Sequence, residues 1–320
     1  MLCELRTLLF TTQAARAQLV HLQASWQRII QGHHYPPAIE RMLGELVAAS
    51  ALLSASLKFN GSLVLQVKGD GPVSIVVAEC SSELGLRATV MFDKDACIAD
   101  EAGFQELVNA GGKGRFVLIL DPKDRLPGQH PYQGIISLQG DSIAQTIENY
   151  MMQSEQLQTR LWLQARGNSV AGVLLQQMPE TGGMLDVQIT QSEAQPDIKG
   201  IDPQTNWDRL IMLCNTLKPG EMLDTDPGTM VKRLFWQEPH DTLNIRNPIF
   251  RCTCSRDKVS RMLKSLGETE IREALEEQTH LTIHCDYCNT AYEFDAVDCM
   301  ALFTDSVIDA NVKPGQSGLH

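Results

Sequence analysis

Residues 250–256 read Phe-Arg-Cys-Thr-Cys-Ser-Arg, and residues 284–288 read His-Cys-Asp-Tyr-Cys. Cys252 and Cys254 are one residue apart, Cys285 and Cys288 are two apart, and thirty residues separate the pairs. Four sulfurs suit tetrahedral zinc, whose Zn–S bonds are about 2.3 Å, and Cys-x-x-Cys is a common half of such a site. The expectation is one zinc ion per chain, ligated by Cys252, Cys254, Cys285 and Cys288. His280 and His284 are ligand types as well, but four thiolates already fill the shell. Cys299, a fifth thiol nearby, reads as packing. A segment of about fifty residues is close to the size at which an apolar core alone is marginal. Structural zinc contributes on the order of 10 kcal/mol in small domains, so the metal decides whether this one folds.

The residues leave more than one use for such a cluster open. One is a constitutive structural zinc module that binds protein or nucleic acid. Another is redox chemistry: a zinc ion with four thiolates carries a formal charge of about −2, and oxidants attack electron-rich sulfurs they can reach. Each pair is close enough in sequence to close its own small disulfide, which would remove two ligands. A thiol–disulfide oxidoreductase built on Cys285-Asp-Tyr-Cys288 is disfavoured, because the surrounding segment lacks βαβ context.

The rest of the chain narrows the choice. At 320 residues it is long enough for one large domain and a smaller one. A net charge of −12, with no Lys/Arg run longer than two, repels phosphate backbones and argues against nucleic-acid binding. The N-terminus has no basic leader region and carries Glu4, and the most apolar helical stretch, 46–57, falls short of the ~20 residues of a membrane span. A cytoplasmic protein with no membrane partner is expected. Of nine cysteines, Cys3, Cys80, Cys97 and Cys214 are scattered and read as inert packing rather than a disulfide framework. No nucleophile elbow appears, so an enzyme is not expected. "GDGP" (69–72) and "GGKG" (111–114) read as hairpin turns, since neither fits a phosphate loop. His33 and His34 read as a surface turn.

These sites need a frame to hold them. After a short opening segment, 19–30 reads as a strand running into a helix. Residues 35–59 form the clearest helix, with prolines at the first turn and Ile39, Met42, Leu43, Leu46 and Val47 at helical spacing. Its Ala, Ser and Gly content calls for close packing. Five short Val/Ile/Leu-rich runs between 62 and 140 read as strands, followed by a helix at 141–156 and strands at 159–165 and 170–178. Residues 179–202 read as loop, and 202–218 as a helix with Asp202 at its N-cap. Without βαβ alternation the class is α+β: a mixed-sheet N-terminal domain with packed helices, an apolar helical linker and a small four-cysteine zinc domain. The expected limits are 1–225, 226–250, 251–303 and a tail at 304–320. A disordered tether would be polar, whereas this linker carries Leu234, Phe235 and Trp236, which are expected to dock.

At these residues the chain resembles the redox-regulated bacterial 33 kDa chaperonins, heat-shock holdases. The likeness rests on "CTCSR" (252–256) and "HCDYCNTAYEFD" (284–295), and extends through 35–73 and 132–163. Asn289 stands where relatives often have glycine, a tolerable change because Asn accepts left-handed backbone angles. The resemblance implies a zinc-loaded monomer of low activity when reduced. It further implies that oxidation joins Cys252 to Cys254 and Cys285 to Cys288, releases zinc, unfolds the C-terminal domain and undocks the linker. Homodimers then hold unfolded client proteins without ATP.

Overall fold

The computed structural model describes residues 2–11, 14–57, 59–125, 128–178 and 203–310, with backbone alone for 203–205, 277 and 304–310. The chain divides into two units, Met1–Arg251 and Cys252–His320. In the first, the elements run β1 (Cys3–Phe10), β2 (Ala15–Leu22), α1 (Ala24–Ile30), α2 (Pro37–Ser56), β3 (Gly61–Lys68), β4 (Val73–Ser81), β5 (Gly85–Phe92) and α3 (Phe104–Val108). They continue through β6 (Arg115–Pro122), β7 (Tyr132–Ser137), α4 (Ile143–Ser154), β8 (Thr159–Arg166), β9 (Ser169–Gln177) and α5 (Pro203–Cys214). The unit closes with α6 (Pro219–Asp224), α7 (Pro227–Leu234), β10 (His240–Arg246) and β11 (Ile249–Phe250). The second unit holds α8 (Arg256–Leu266), α9 (Glu268–Glu277), β12 (His280–His284), β13 (Ala291–Asp295) and α10 (Ala296–Ala310).

Two sheets share one central helix in the first unit. The five-stranded sheet, ordered β10-β1-β2-β9-β8, is antiparallel throughout. The six-stranded sheet, β11-β5-β4-β3-β6-β7, is mixed, because β11 runs parallel to β5. Helix α2 starts at Pro37, as the proline signal requires, and buries Ile39, Met42, Leu43, Leu46 and Val47 in a core formed with both sheets. Alternation along β3 sends Leu63, Leu65 and Val67 into that core. Gly44 shows how tightly the helix sits: a Cβ there would lie 2.6 Å from Ala165 Cβ and 2.8 Å from Val170 Cγ2.

The five-stranded sheet is apolar on both faces. Leu5, Val20, Leu22 and Leu174 face α2, whereas Leu8, Phe10, Ala17, Leu19, Val173 and Leu175 face away from it. Trp207 and Leu210 of α5, Met222 and Leu223 of α6, and Met230, Val231 and Leu234 of α7 cover this second face. The second unit has a far smaller core. Its buried cluster is Leu263, Ile271, Leu281, Phe294 and Cys299, flanked by half-buried neighbours such as Ile283 and Tyr292.

Several elements differ from the sequence reading. The opening segment is a full strand, β1, hydrogen-bonded between β2 and β10. Only the start of 226–250 is helical; after α7 the chain becomes strand β10 on β1 and then strand β11 on β5. "GGKG" joins α3 to β6 instead of closing a hairpin, and the Lys113 amide donates to the Asp70 carboxylate of "GDGP" at 2.8 Å. The turn's donor is thus taken by the chain's own acid. Helix α10 continues past residue 303 to Ala310. The 179–202 loop and the Asp202 cap lie outside the described residues.

Gly44→Ala should reduce stability by about 2 kcal/mol through overpacking against the β8–β9 hairpin. Urea unfolding checks this; an unchanged midpoint would show that the helix can shift away from the hairpin.

Candidate metal centre

The first ligand pair is set by where α8 begins. Cys252 and Cys254 occupy the extended stretch before the helix, and Ser255 caps it by accepting a hydrogen bond from the Lys258 amide at 3.3 Å. Arg256 then clamps this stretch to the rest of the unit. It donates to the Glu293 carbonyl and the Asp298 carboxylate, both at 2.7 Å, and its guanidinium lies 4.2 Å from the centre of the Phe294 ring.

The second pair lies in the turn between β12 and β13. The Cys285 amide donates to the Thr290 carbonyl at 3.0 Å, and the Asn289 amide donates to the Cys285 carbonyl at 2.8 Å. Asn289 has φ +56°, a left-handed geometry that Asn accepts more readily than most residues. Strand alternation sends Leu281 and Phe294 inward, while His280 and His284 are exposed on the opposite side. The histidines are not part of the cluster.

The four sulfurs converge. The Sγ atoms of Cys252, Cys254, Cys285 and Cys288 all lie within 4.8 Å of one another. The closest recorded approaches join the two segments: Cys252 to Cys285 at 3.7 Å and Cys254 to Cys288 at 3.4 Å. A zinc tetrahedron with arms of about 2.3 Å has edges of roughly 3.8 Å, so the cage fits that ion, and the all-sulfur donor set suits a soft or borderline metal. Each sulfur-bearing residue is half-buried.

Hydrogen bonds to sulfur complete the centre. The Tyr287 and Cys288 amides act on Cys285, the Cys254 amide on Cys252, and the Thr290 amide and hydroxyl on Cys288. The Tyr292 hydroxyl donates to Cys254 Sγ at 3.1 Å. Without metal the thiols are pulled in opposite directions. Burial pushes Cys252 up to about 12, against the lowering effect of the Cys254 amide. Cys285 is also raised, chiefly by burial. Burial acts the same way on Cys288, but donation from Thr290 and from the neighbouring thiols outweighs it and brings that thiol down to about 7. Cys299 is buried in the small core, away from the cluster, and burial raises its thiol.

The expected linker anchors divide. Leu234 and Phe235 are buried on the second face of the five-stranded sheet, with Phe235 packing edge-on against Phe10 at 5.0 Å. Trp236 does not dock; it is 75% exposed. One step beyond Phe235 the side chain points away from the sheet, so apolar character alone misplaced it. Tyr292, Thr290 and Arg256 were not singled out from the sequence. For Tyr292 a signal existed: two residues before a buried Phe on a strand, it had to share the inward face.

The comparisons with known proteins agree with one another. A family model described as Hsp33 protein matches residues 4–295. A 33 kDa chaperonin of Methylobacillus flagellatus is 41% identical over 317 residues, covering 99% of this chain and 98% of its own. A second, from Chromobacterium violaceum, is 40% identical, with 96% of each chain covered. The crystal structure of the 33 kDa chaperonin of Thermotoga maritima superposes with a TM-score of 0.74 at 19% identity, covering 96% of this chain and 99% of that one, which is a likeness of fold.

Zinc requires thiolates, so binding displaces protons and affinity falls as the pH falls. The slope of log affinity against pH should steepen below about 7, where Cys288 also starts protonated. Chelator competition across that range measures it; a flat profile would exclude thiolate ligation.

Proposed function

Because the chain belongs to the Hsp33 family, we propose that it is a redox-regulated, ATP-independent holdase that captures unfolding proteins under oxidative stress in the cytoplasm. The observation that carries the reading is a juxtaposition along the chain. A four-thiol cluster in a unit with a very small core begins at Cys252, directly after a segment that covers an apolar sheet face.

In the reduced state Cys252, Cys254, Cys285 and Cys288 hold zinc, which cross-links the two segments of the small unit. The functional parts are then 1–225 as the chaperone core, 226–250 as a redox-sensitive linker and 251–303 as the switch domain. All four residues are half-buried rather than enclosed, which leaves peroxide a route to their sulfurs. One thiolate of a pair attacks a peroxide oxygen, forming an S–O bond as the O–O bond breaks and hydroxide leaves. Its partner attacks that sulfur, forming the disulfide and expelling a second hydroxide. Joining Cys252 to Cys254 and Cys285 to Cys288 removes all four ligands without tying the two segments together.

Among the described residues, the small unit is then held by a two-stranded ladder, a core whose buried members are Leu263, Ile271, Leu281, Phe294 and Cys299, and the Arg256 clamp. Its unfolding frees the end of the preceding segment. That segment is retained by the β10 ladder, the short β11 ladder and the buried side chains of α7 and Phe235. Its release uncovers the part of that face under α7 and Phe235, with Leu8, Phe10 and Leu19 of β1 and β2, a surface suited to exposed apolar segments of unfolding proteins. Two such surfaces in a homodimer would enlarge the platform. No catalytic step is assigned, and a net charge of −12 leaves nucleic acid as a poor partner. Among the described residues no helix is long and apolar enough to cross a membrane.

Peroxide with mild heat should release about one zinc per chain and start suppression of client aggregation. Full suppression by the reduced, zinc-loaded form would sink the switch, and zinc retained under peroxide would return the centre to a constitutive structural role. Peptide mapping should find the neighbouring disulfides. Crossed Cys252–Cys285 and Cys254–Cys288 bonds would lock the unit shut and contradict the unlatching.

Substitution separates the linker residues. Phe235→Ser should weaken docking by about 3 kcal/mol, and Leu234→Ser somewhat less, so both variants act at lower oxidant doses. Trp236→Ser, at an exposed site, should leave the dose response unchanged. Three identical dose–response curves would mean that α7 does not control activity.

A further inference from the structure

Hydrogen bonds reach the sulfurs both from the backbone and from a side chain. For Cys285, Cys288 and Cys252, backbone amides are among the donors, supplied by the turn or by the Cys-x-Cys segment itself. Such donors follow from the ligand spacing and persist whatever side chains surround them. Cys254 accepts a hydrogen bond from a side chain, the Tyr292 phenol, 3.1 Å from Sγ, and its sulfur also lies 3.4 Å from that of Cys288.

Strand geometry places that phenol. Tyr292 lies on β13, paired with Ile283 of β12, and shares the inward face with Phe294, which is fully buried two residues later. The ring packs against the small core, and its hydroxyl reaches the sulfurs at the end of the strand. The bond also crosses the centre: the donor belongs to the Cys285/Cys288 hairpin and the acceptor to the Cys252/Cys254 segment.

We propose that Tyr292 is a shielding residue, whose hydroxyl engages a lone pair of the Cys254 thiolate and sets the oxidant dose at which the Cys252–Cys254 pair reacts. This rests on the redox reading above. A hydrogen bond to a charged sulfur stabilises the thiolate relative to the state in which its electron pair forms a new bond. The attack by Cys254 on peroxide described above therefore has to weaken this bond. Once the disulfide has formed, the sulfur is neutral and a poor acceptor, so the phenol also loses its hold across the centre. Tyr292 would thus raise the threshold while reduced and contribute little after oxidation.

The test uses zinc-loaded full-length protein and Tyr292→Phe, which keeps the ring and removes only the donor. Both are treated with N-ethylmaleimide, and modification at each cysteine is followed by peptide mass spectrometry. Cys254 should be alkylated about three- to tenfold faster in the variant, with Cys285 and Cys288 unchanged. An unchanged rate at Cys254 overturns the proposal, as does equal acceleration at all four sulfurs, the signature of a loosened site. Alkylation needs no oxidant, so failure of the redox reading registers separately, as zinc retained by the parent protein under peroxide. If the Phe variant loads less zinc, 3-fluorotyrosine at position 292 supplies a stronger donor on the same ring. Alkylation of Cys254 should then slow, and an unchanged rate overturns the proposal.

Discussion

Four sulfurs held within 4.8 Å of one another repel as thiolates, so a unit built around them calls for protons or a cation to offset that repulsion. Protons can do so, and a divalent cation does so more strongly. Amide and hydroxyl donors aimed at the sulfurs take up part of the remaining charge. The rest of the unit is arranged around this requirement. Ser255 starts a helix directly after one pair, a left-handed Asn289 closes the turn around the other, and Arg256 ties them from outside.

The constraint reaches the first unit through the chain. A five-stranded sheet that is apolar on both faces needs two covers. Helix α2 provides one, deep in the main core and close-packed at Gly44. The other is assembled from α5, α6, α7 and Phe235, ending shortly before the first cysteine pair. The two covers differ in how they are held. α2 is enclosed by two sheets, whereas the last part of the second cover depends on one helix of eight residues and on β10, most of whose side chains are exposed. A cover held in that manner is easily removed, which the proposed switch requires.

Much of this was legible before any coordinates. Helix α2 and strands β3 to β6, β8 and β9 carry their periods openly, because each buries one face or lies wholly inside. The grouping of Cys252, Cys254, Cys285 and Cys288 was legible because the close spacing within each pair is a local property. What escaped was whatever depended on distant partners. Strand β1 alternates polar and apolar residues only weakly, since Glu4 and Arg6 share a face with Leu8 and Phe10; Arg6 lies beneath Gly228 of α7. Strand β10 has no inward face to advertise, and as an edge strand it is specified by its ladder to β1. Trp236 was misjudged because hydrophobicity does not say which of three consecutive apolar residues faces the sheet.

The same contrast explains why the Tyr292 contact matters to the switch as a whole. If the ligand spacing alone set reactivity, every chain with Cys-x-Cys and Cys-x-x-Cys in this fold would respond to the same oxidant dose, because the amide donors come with the turns. A phenol two residues from a buried Phe separates threshold from architecture. It can be gained or lost without moving a ligand or disturbing the core that Phe294 anchors. Leu234 and Phe235, buried on the sheet face, are separate residues that can vary independently of Tyr292. In the proposed switch, reactivity at sulfur and release of the apolar sheet face are therefore adjusted at different residues, and the fold connecting them need not change.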